Sequence, residues 1–406
     1  MKIEPYRRVL SLPGLPSLML VGTLARIPVT ATGVALTLHV AITLDRGFFQ
    51  AGLVGALCTL GVALSAPVAG RFVDRYGMRP VLLVTMLAQS CFWPLAGHLS
   101  FWPLLVGALL SGLLALPVFG LTRQCLAVLV PEERRRTAFS LDSMLVEIAY
   151  MIGPALATAA VALVGSRWTL AAIGLGMVGS GTALFVLNPP TRTEEEAEAE
   201  AASGGDPVPR RSWITVPMAA LLLVTFSATF VLAATELGII AVLTGSGAVS
   251  WTGLVIGVWC LGSLVGGFVY GGLPRGFPAP VLIGAMALLT LPLVLVTDWR
   301  LLMVALIPSG LLCAPSLSTT VDTMSRWVPA SVRGEAMGLH STAMTFGLAC
   351  SAPLAGRVID QAGPGWAFVL AGGVGLVVAL VAGLVWRRSP GAVEPVPEKT
   401  EKAIIV

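Results

Sequence analysis

The chain has 406 residues, of which 56% are hydrophobic and only 11% charged, where a soluble domain of average make-up carries about 25% charged residues. Such a chain cannot cover itself with polar surface and needs lipid as part of its solvent. The formal net charge is +4, but the basic residues sit in segments between apolar runs, so no basic face for nucleic acid is formed. The runs are long and unbroken, which excludes a transmembrane barrel with its roughly 10-residue alternating segments.

The N-terminus, Met1 to Arg8, is polar and basic. The first apolar run, 17–43, is too long for the core of a signal peptide and reads as a spanning helix, for which about 20 apolar residues are required. It holds Arg26 near mid-depth and His39 near its far end, the latter read as interfacial. The second run, 50–72, leads into Gly70-Arg71-Phe72-Val73-Asp74-Arg75-Tyr76-Gly77-Met78-Arg79-Pro80. Runs three and four cover 80–98 and 102–129, with Arg123 inside the fourth. Run five, 137–164, holds Asp142, Glu147 and the pair Gly153-Pro154, and run six covers 168–188. Helical rise puts Arg26 and Glu147 each about 15 Å into their helices. Ionisable groups at that depth face a partner or a wet cavity, so the two are expected to pair, as a structural ion pair or in a substrate or proton role.

Between Asn188 and Arg211 lies a long polar stretch with Glu194, Glu195, Glu196, Glu198 and Glu200. This composition cannot bury a core and reads as a flexible linker. Six further runs follow at 214–243, 251–272, 279–297, 300–327, 334–361 and 365–387. Glu236 stands alone in the seventh run, which marks it as a proton or cation site, or as a side chain in outer-leaflet water. Asp322 and His340, in the tenth and eleventh runs, read as a pair mirroring Arg123 and Asp142 with reversed polarity; histidine titrates most readily near neutral pH. The division expected is a six-helix bundle over 1–188, a linker over 189–212, a second six-helix bundle over 213–388 and a disordered tail over 389–406.

Residues 101–168 align without a gap on 299–366 at a shift of 198. Pro117 meets Pro315, Pro131 meets Pro329, Arg135 meets Arg333, Gly165 meets Gly363 and Trp168 meets Trp366. Runs four and five are thus repeated as ten and eleven, and two pseudo-symmetric six-helix bundles are the simplest architecture. With both termini and the linker placed in the cytoplasm, nearly all lysines and arginines fall inside, leaving Arg46, Arg167, Arg300 and Arg357 outside, a strong positive-inside bias. Trp102, Trp168, Trp251, Trp299 and Trp366 fall near the outer ends, as interfacial aromatics do. Cys58, Cys91, Cys125, Cys260, Cys313 and Cys350 each lie in an apolar run without metal-ligand spacing and read as small buried hydrophobes. No phosphate loop, His-Glu-x-x-His or nucleophile elbow is present, so neither an enzyme nor a metal or cofactor is expected.

The segment Gly70 to Arg79 resembles motif A of the major facilitator superfamily, Gly-x-x-x-Asp-Arg-x-Gly-x-Arg, and lies where that family has it, between helices two and three. The resemblance spans about residues 10–388. It implies the major facilitator fold, an all-α membrane protein of twelve transmembrane helices, with a solute site near the midplane between the halves. It also implies a latch built from Gly70, Asp74, Arg75, Gly77 and Arg79. Asp74 is expected to face the positive N-terminal end of helix eleven, and the arginines to meet Glu132 or Glu133. The second-half counterpart, Gly266 to Tyr270, has Tyr270 where the acid would be. Gly153-Pro154 resembles the antiporter motif of the drug-efflux branches, with Ala149, Ala157 and Thr158 in place of the outer glycines. The expectation is a monomeric, proton-coupled exporter of a small solute in a bacterial inner membrane. The alternatives are an importer or uniporter, or a transport-dead sensor or assembly protein on the same fold. The ionisable candidates are Arg26, Arg123, Asp142, Glu147, Glu236, Asp322 and His340.

Overall fold

The computed structural model describes residues 4–46, 48–193, 196, 209–248, 251–273 and 275–388. Most of the expected linker and all of the expected tail lie outside the described residues. Every regular element among the described residues is helical. Among the described residues ten helices are long and apolar enough to cross a membrane, and the shorter apolar helix Ala279–Leu295 fills the third position of the second half. Together with Met78–Ala96 they make twelve spans.

We number these α1 Leu15–Thr43, α2 Phe48–Tyr76, α3 Met78–Ala96, α4 Phe101–Leu129, α5 Glu132–Val164 and α6 Ser166–Leu187 in the first half. The second half holds α7 Val216–Gly245, α8 Thr252–Gly271, α9 Ala279–Leu295, α10 Trp299–Trp327, α11 Ala330–Ala362 and α12 Trp366–Arg388. A two-turn helix, Glu4–Leu10, precedes α1. The face of the bundle carrying this helix, the α2–α3 turn and the end of α12 is called here the motif face, and the opposite one the far face.

The internal repeat is visible in element boundaries. α4 and α10 begin at Phe101 and Trp299 and end at Leu129 and Trp327, while α5 and α11 end at Val164 and Ala362. Each pair differs by the shift of 198. Gly165 and Gly363 close α5 and α11 in matching left-handed conformations, φ 82° and 102°, a backbone that glycine adopts without steric cost. Both α4 and α10 are broken near mid-depth, α4 at Leu114–Pro117 and α10 around Leu306 and Leu311–Leu312. Proline lacks the amide needed to continue an interior helix. Pro117 stands at the first break and Pro308 and Pro315 flank the breaks in α10.

The halves meet along two seams, and the polar contacts named here lie toward the motif face. In the α2–α11 seam the Thr342 hydroxyl donates to the Ala63 carbonyl at 2.6 Å. In the α5–α8 seam the Thr137 hydroxyl donates to the Gly271 carbonyl at 2.6 Å. The Tyr6 hydroxyl reaches the same end of α8, donating to the Gly267 and Phe268 carbonyls, and its ring stacks on Phe268 with centroids 4.6 Å apart. Burial pushes the Tyr6 phenol up to about 12 against the opposing charge of Arg136, so it remains a donor throughout the physiological range.

Trp102, Trp168, Trp251 and Trp366 are all exposed at the far face, consistent with interfacial anchors. His39 stands at the far-face end of α1 but faces neither water nor lipid: it is fully buried, with its Nδ1 2.8 Å from the Ser166 hydroxyl, where α1 widens into a π-helical turn. Cys91 is exposed on α3, not buried as its apolar run implied, and Cys260 and Cys350 are half-buried.

Candidate functional site

The α2–α3 turn is built around two glycines with different tasks. At Gly70 a Cβ would stand 2.0 Å from the Gly334 carbonyl oxygen, and at Gly338 one would stand 2.3 Å from that of Ala66. Only glycine lets the α2 and α11 backbones touch at these crossings. Gly77 has open space around it but φ 80°, so it serves the reversal of the chain. Asp74, one turn beyond Gly70, then lies directly under the start of α11. Its Oδ1 accepts from the Gly334 amide and its Oδ2 from the Glu335 amide, both at 2.9 Å. The side-chain amide of Gln124 donates to Oδ1, also at 2.9 Å. A carboxylate on the unpaired amides of a helix N-terminus is a charge-assisted cap. Asp74 therefore stands where the sequence placed it.

The expected partners of the motif's arginines are not found. Glu132 is taken by Arg326 at 2.5 Å. Arg75 lies over the Tyr76 ring, and Arg79 lies over Phe185 and donates to its carbonyl. The sequence reading also missed the segment after α6. Thr193 and Glu196 exchange reciprocal bonds between backbone and side chain, Thr193 N to Glu196 Oε2 at 2.9 Å and Glu196 N to the Thr193 hydroxyl at 3.1 Å. This capping box aims the Glu196 carboxylate at Arg333, 2.9 Å away. Arg192 donates to the Asp74 carbonyl. Beyond the undescribed stretch, Arg210 grips the other acid at the start of α11, Glu335, at 2.5 Å. A Thr-x-x-Glu spacing inside a glutamate-rich stretch is a faint signal, and its partner on α11 is not visible in one dimension.

In the second half, Tyr270 occupies the place of the motif's acid. The Arg136 guanidinium lies 5.8 Å from the Tyr270 ring centroid, and the Thr319 hydroxyl donates to Tyr270 Oη at 2.7 Å. A cation–π contact thus stands where the first half has a carboxylate cap.

Gly153 packs against α1. A Cβ there would stand 2.1 Å from the Thr30 hydroxyl, which donates to the Ala149 carbonyl at 2.8 Å. The second half has a similar contact displaced by one turn: at Gly347, the counterpart of Ala149 at the shift of 198, a Cβ would stand 2.2 Å from the Thr229 hydroxyl, and Thr229 donates to the Met344 carbonyl at 2.8 Å. Gly153 thus serves close packing of α5 on α1, while its own counterpart in the second half is Ser351.

The buried charges pair differently from the sequence expectation. Arg26 does not meet Glu147; its NH2 lies 2.7 Å from Asp142 Oδ1, although the two are too poorly aligned for a hydrogen bond. One helical turn or more separates residues 142 and 147 along α5, and helical rise alone did not distinguish them. Arg123 Nε donates to Asp142 Oδ2 at 3.4 Å. Its NH1 lies 3.4 Å from His340 Nδ1 and 3.2 Å from the Met344 sulfur, across the junction between the halves. Asp322 and His340 do not pair. Asp322 takes Arg326 at 3.1 Å, its i+4 neighbour, and His340 Nε2 stands 2.9 Å from the Thr320 hydroxyl. Arg26, Arg123, Asp142 and His340 are all at most 2% exposed.

Glu147 lies across the α5–α8 seam. Its Oε1 accepts from the Ser263 hydroxyl, which in turn accepts from the Ala314 amide at 3.0 Å, and its Oε2 is buried with no hydrogen-bond partner. Glu236 is exposed on α7, with no ion pair or hydrogen bond among the described residues.

A cavity of about 310 Å³ lies beside this arrangement, walled by α1, α2, α4 and α11, with Gln89 and Trp93 of α3, Tyr150 of α5 and Met177 of α6. Toward the motif face it ends at Gly70, Gly334 and Gly338, and it runs to Leu36, Gly55 and Leu348 in the other direction. Its wall is largely apolar, with Gln89, Gln124, Ser111, Ser341 and Thr345 among its polar members. This volume and lining fit a small organic molecule. Among the described residues no cluster of histidine, cysteine or acids has metal-binding geometry.

Several comparisons with known proteins bear on this architecture. The human organic anion transporter MFSD10 has a similar structure, with TM-score 0.71 at 17% identity over 93% of this chain and 99% of that one. A bacterial homologue of the iron transporter ferroportin in an outward-facing state gives TM-score 0.70 at 17% identity, covering 94% and 100%. At these identities the likeness is one of fold. In sequence, 91 residues are 36% identical to the class B tetracycline resistance protein of Escherichia coli, a match covering 20% of this chain and 23% of that protein. The chain thus spans under a quarter of the length of that relative. The sequence profile of the Major Facilitator Superfamily matches residues 18–297 and 220–406. With the profile covering most of the chain, the motif turn capping α11 and the paired six-helix halves, the protein belongs to the Major Facilitator Superfamily of membrane transporters.

Proposed function

We propose that the protein exports a small solute across a bacterial inner membrane by alternating access, coupled to proton entry, with the motif face and both termini in the cytoplasm. The observation that carries the coupling is Glu147. Its carboxyl is buried in the α5–α8 seam against Ser263, without a cation, and with one oxygen unsatisfied. Burying an unpaired charge costs several kcal/mol, while a protonated carboxyl in the same place costs far less. The α5–α8 seam is one of two that part when access switches, so sealing or wetting this group ties its proton to the conformational state. Glu236, the acid singled out in sequence, is the second candidate carrier. Export is supported by the helix-five motif and by the short stretch of similarity to the tetracycline resistance protein. The motif-face seams, closed by Asp74 and Gly70 between α2 and α11 and by Thr137 and Tyr6 at the end of α8, correspond to the state open to the outside.

The test is uptake into everted membrane vesicles against a panel of small solutes, with and without a proton gradient. Glu147→Gln and Glu236→Gln mimic the protonated acids. Loss of gradient-driven uptake with retained solute exchange identifies the carrier. If both variants keep gradient-driven uptake with an unchanged pH profile, coupling through these acids is wrong. Uptake that runs equally well without a gradient points to a uniporter.

A further inference from the structure

The charge centre at the heart of the bundle does not balance. Arg26 and Arg123 contribute two positive charges, and Asp142, lying between them, contributes one negative charge. The chain's other nearby acids are committed elsewhere. Asp74 caps α11, Asp322 holds Arg326, Glu335 holds Arg210, and Glu147 faces Ser263. Arg26 is fully buried, and its Nε and NH1 have no hydrogen-bond partner. Two buried guanidiniums sharing one carboxylate, one of them with two nitrogens unbonded, leave a buried positive charge uncompensated, a strongly unfavourable arrangement unless a further anion completes it.

The surplus charge borders the cavity. Arg123 is the one charged side chain in its wall among the described residues. Arg123 is poorly occupied by its own neighbours, with contacts of 3.4 Å to Asp142, 3.4 Å to His340 and 3.2 Å to a thioether sulfur. A guanidinium has five donors in a planar fork suited to a carboxylate. Arg26 stands behind it, 5.3 Å from the ring centroid of Phe119, which itself lines the cavity. Beyond this cationic end, Phe119, Tyr150, Trp93, Val62 and Leu348 supply an apolar enclosure.

We propose that Arg123, backed by Arg26, is the anion subsite of this cavity, and that the solute is a small organic monoanion with an apolar body. This rests on reading the cavity as the solute site; it does not depend on direction or on proton coupling. The single surplus charge matches a single negative charge on the solute. Asp142 holds the two guanidiniums together when the site is empty.

The experiment uses the full chain in lipid nanodiscs, with no gradient, and three isosteric probes: 2-naphthoate, 2-naphthamide and 2-naphthamidine. Chloride at matched ionic strength is the fourth arm. Binding is read from protein fluorescence and from ligand-dependent thermal stabilisation. 2-Naphthoate is expected to bind at least tenfold more tightly than the amide, with no measurable binding of the amidine. Arg123→Gln should remove that preference while leaving amide affinity unchanged, and Arg123→Lys should restore part of it. Asp142→Asn, which leaves both guanidiniums without their acid, should tighten naphthoate binding severalfold; a purely structural triad would not give that gain. If either variant fails to fold, the ratio of naphthoate to amide on the unaltered protein decides the matter alone. The proposal is overturned if the amide or amidine binds as tightly as the naphthoate, or if Arg123→Gln keeps the preference. It is also overturned if chloride fills the site with the same Arg123 dependence and excludes naphthoate. Anion binding without gradient-driven transport would refute the coupling reading and leave this one standing; coupled transport of a neutral or cationic solute would do the reverse.

Discussion

Replacing Gly70 with alanine tests the latch at its narrowest point. The new Cβ would stand 2.0 Å from the Gly334 carbonyl oxygen and 2.4 Å from its carbonyl carbon. Both atoms are backbone, so no rotamer relieves the clash. Reaching ordinary contact near 3.5 Å requires α2 and α11 to part by about 1.5 Å here. Asp74 is one turn away, and its bonds to the Gly334 and Glu335 amides are 2.9 Å long; the same displacement carries both beyond hydrogen-bonding range. Bonds to a charged group contribute about 1.5–3 kcal/mol each. Losing both therefore costs the closed motif face about 3 kcal/mol or more, roughly a 100-fold change in the closed-to-open ratio. If α2 tilts and keeps one bond, the shift is about tenfold. Spin labels at positions 133 and 275, exposed ends of α5 and the α8–α9 turn, placed in a cysteine-free background, report opening of the motif face as a longer distance by pulsed electron resonance. An unchanged distance distribution in Gly70→Ala, in protein that folds normally, would refute the reasoning.

Asp74→Asn keeps an acceptor for one amide but loses the charge, so the same labels should show a smaller shift in the same direction, about tenfold. A double-mutant cycle on Arg26 and Asp142 should show strong coupling in thermal stability, with Asp142→Leu alone destabilising more than Arg26→Leu/Asp142→Leu, because the single change strands two buried cations; simple additivity would contradict the pairing. Tyr6→Phe removes the bond to the Gly267 and Phe268 carbonyls and should favour opening of the α5–α8 seam about fivefold, for a bond contributing about 1 kcal/mol, read as a longer distance between the same labels. Burial raises the pKa of Glu196, but the Arg333 hydrogen bond, the Thr193 amide and the charges of Arg333 and Arg135 more than offset it, so the folded pKa lies below the ordinary one. Its contact with Arg333 is therefore fully stabilising above the ordinary glutamate range and is lost as pH falls through the depressed folded value. Limited proteolysis between residues 197 and 208 should accelerate over that acid interval, and Glu196→Gln should cleave at the fast rate at all pH values.

The parts of the fold that repeat were legible in the sequence, since a proline or glycine that shapes a helix leaves a mark at a fixed spacing. Pro117, Gly165 and their counterparts gave the register of the two halves before any coordinates did. The cap of Asp74 on α11 was expected on another ground, the resemblance of Gly70 to Arg79 to motif A of the family together with the affinity of a carboxylate for a helix N-terminus. The buried charges were not legible. Helical rise gives depth along an axis but not azimuth, and Asp142 and Glu147 lie five residues apart on one helix, pointing to different neighbours. Arg26 consequently found Asp142, and Glu147 crossed a seam to Ser263 on α8, a residue with nothing in its local sequence to announce it. His340 and Asp322 failed as a pair because Arg326, four residues from Asp322 on the same helix, is a partner that costs no long-range closure.

The segment between the halves is fastened on both sides to the first turn of α11, by Glu196 on Arg333 and by Arg210 on Glu335. Two weak grips joined by a short length of chain behave as a bivalent ligand. Once one is made, the other is held at an effective concentration on the order of millimolar, so the pair releases together and not in succession. The two grips thereby chelate the start of α11, with a sharper response to ionic strength and acidity than either has alone.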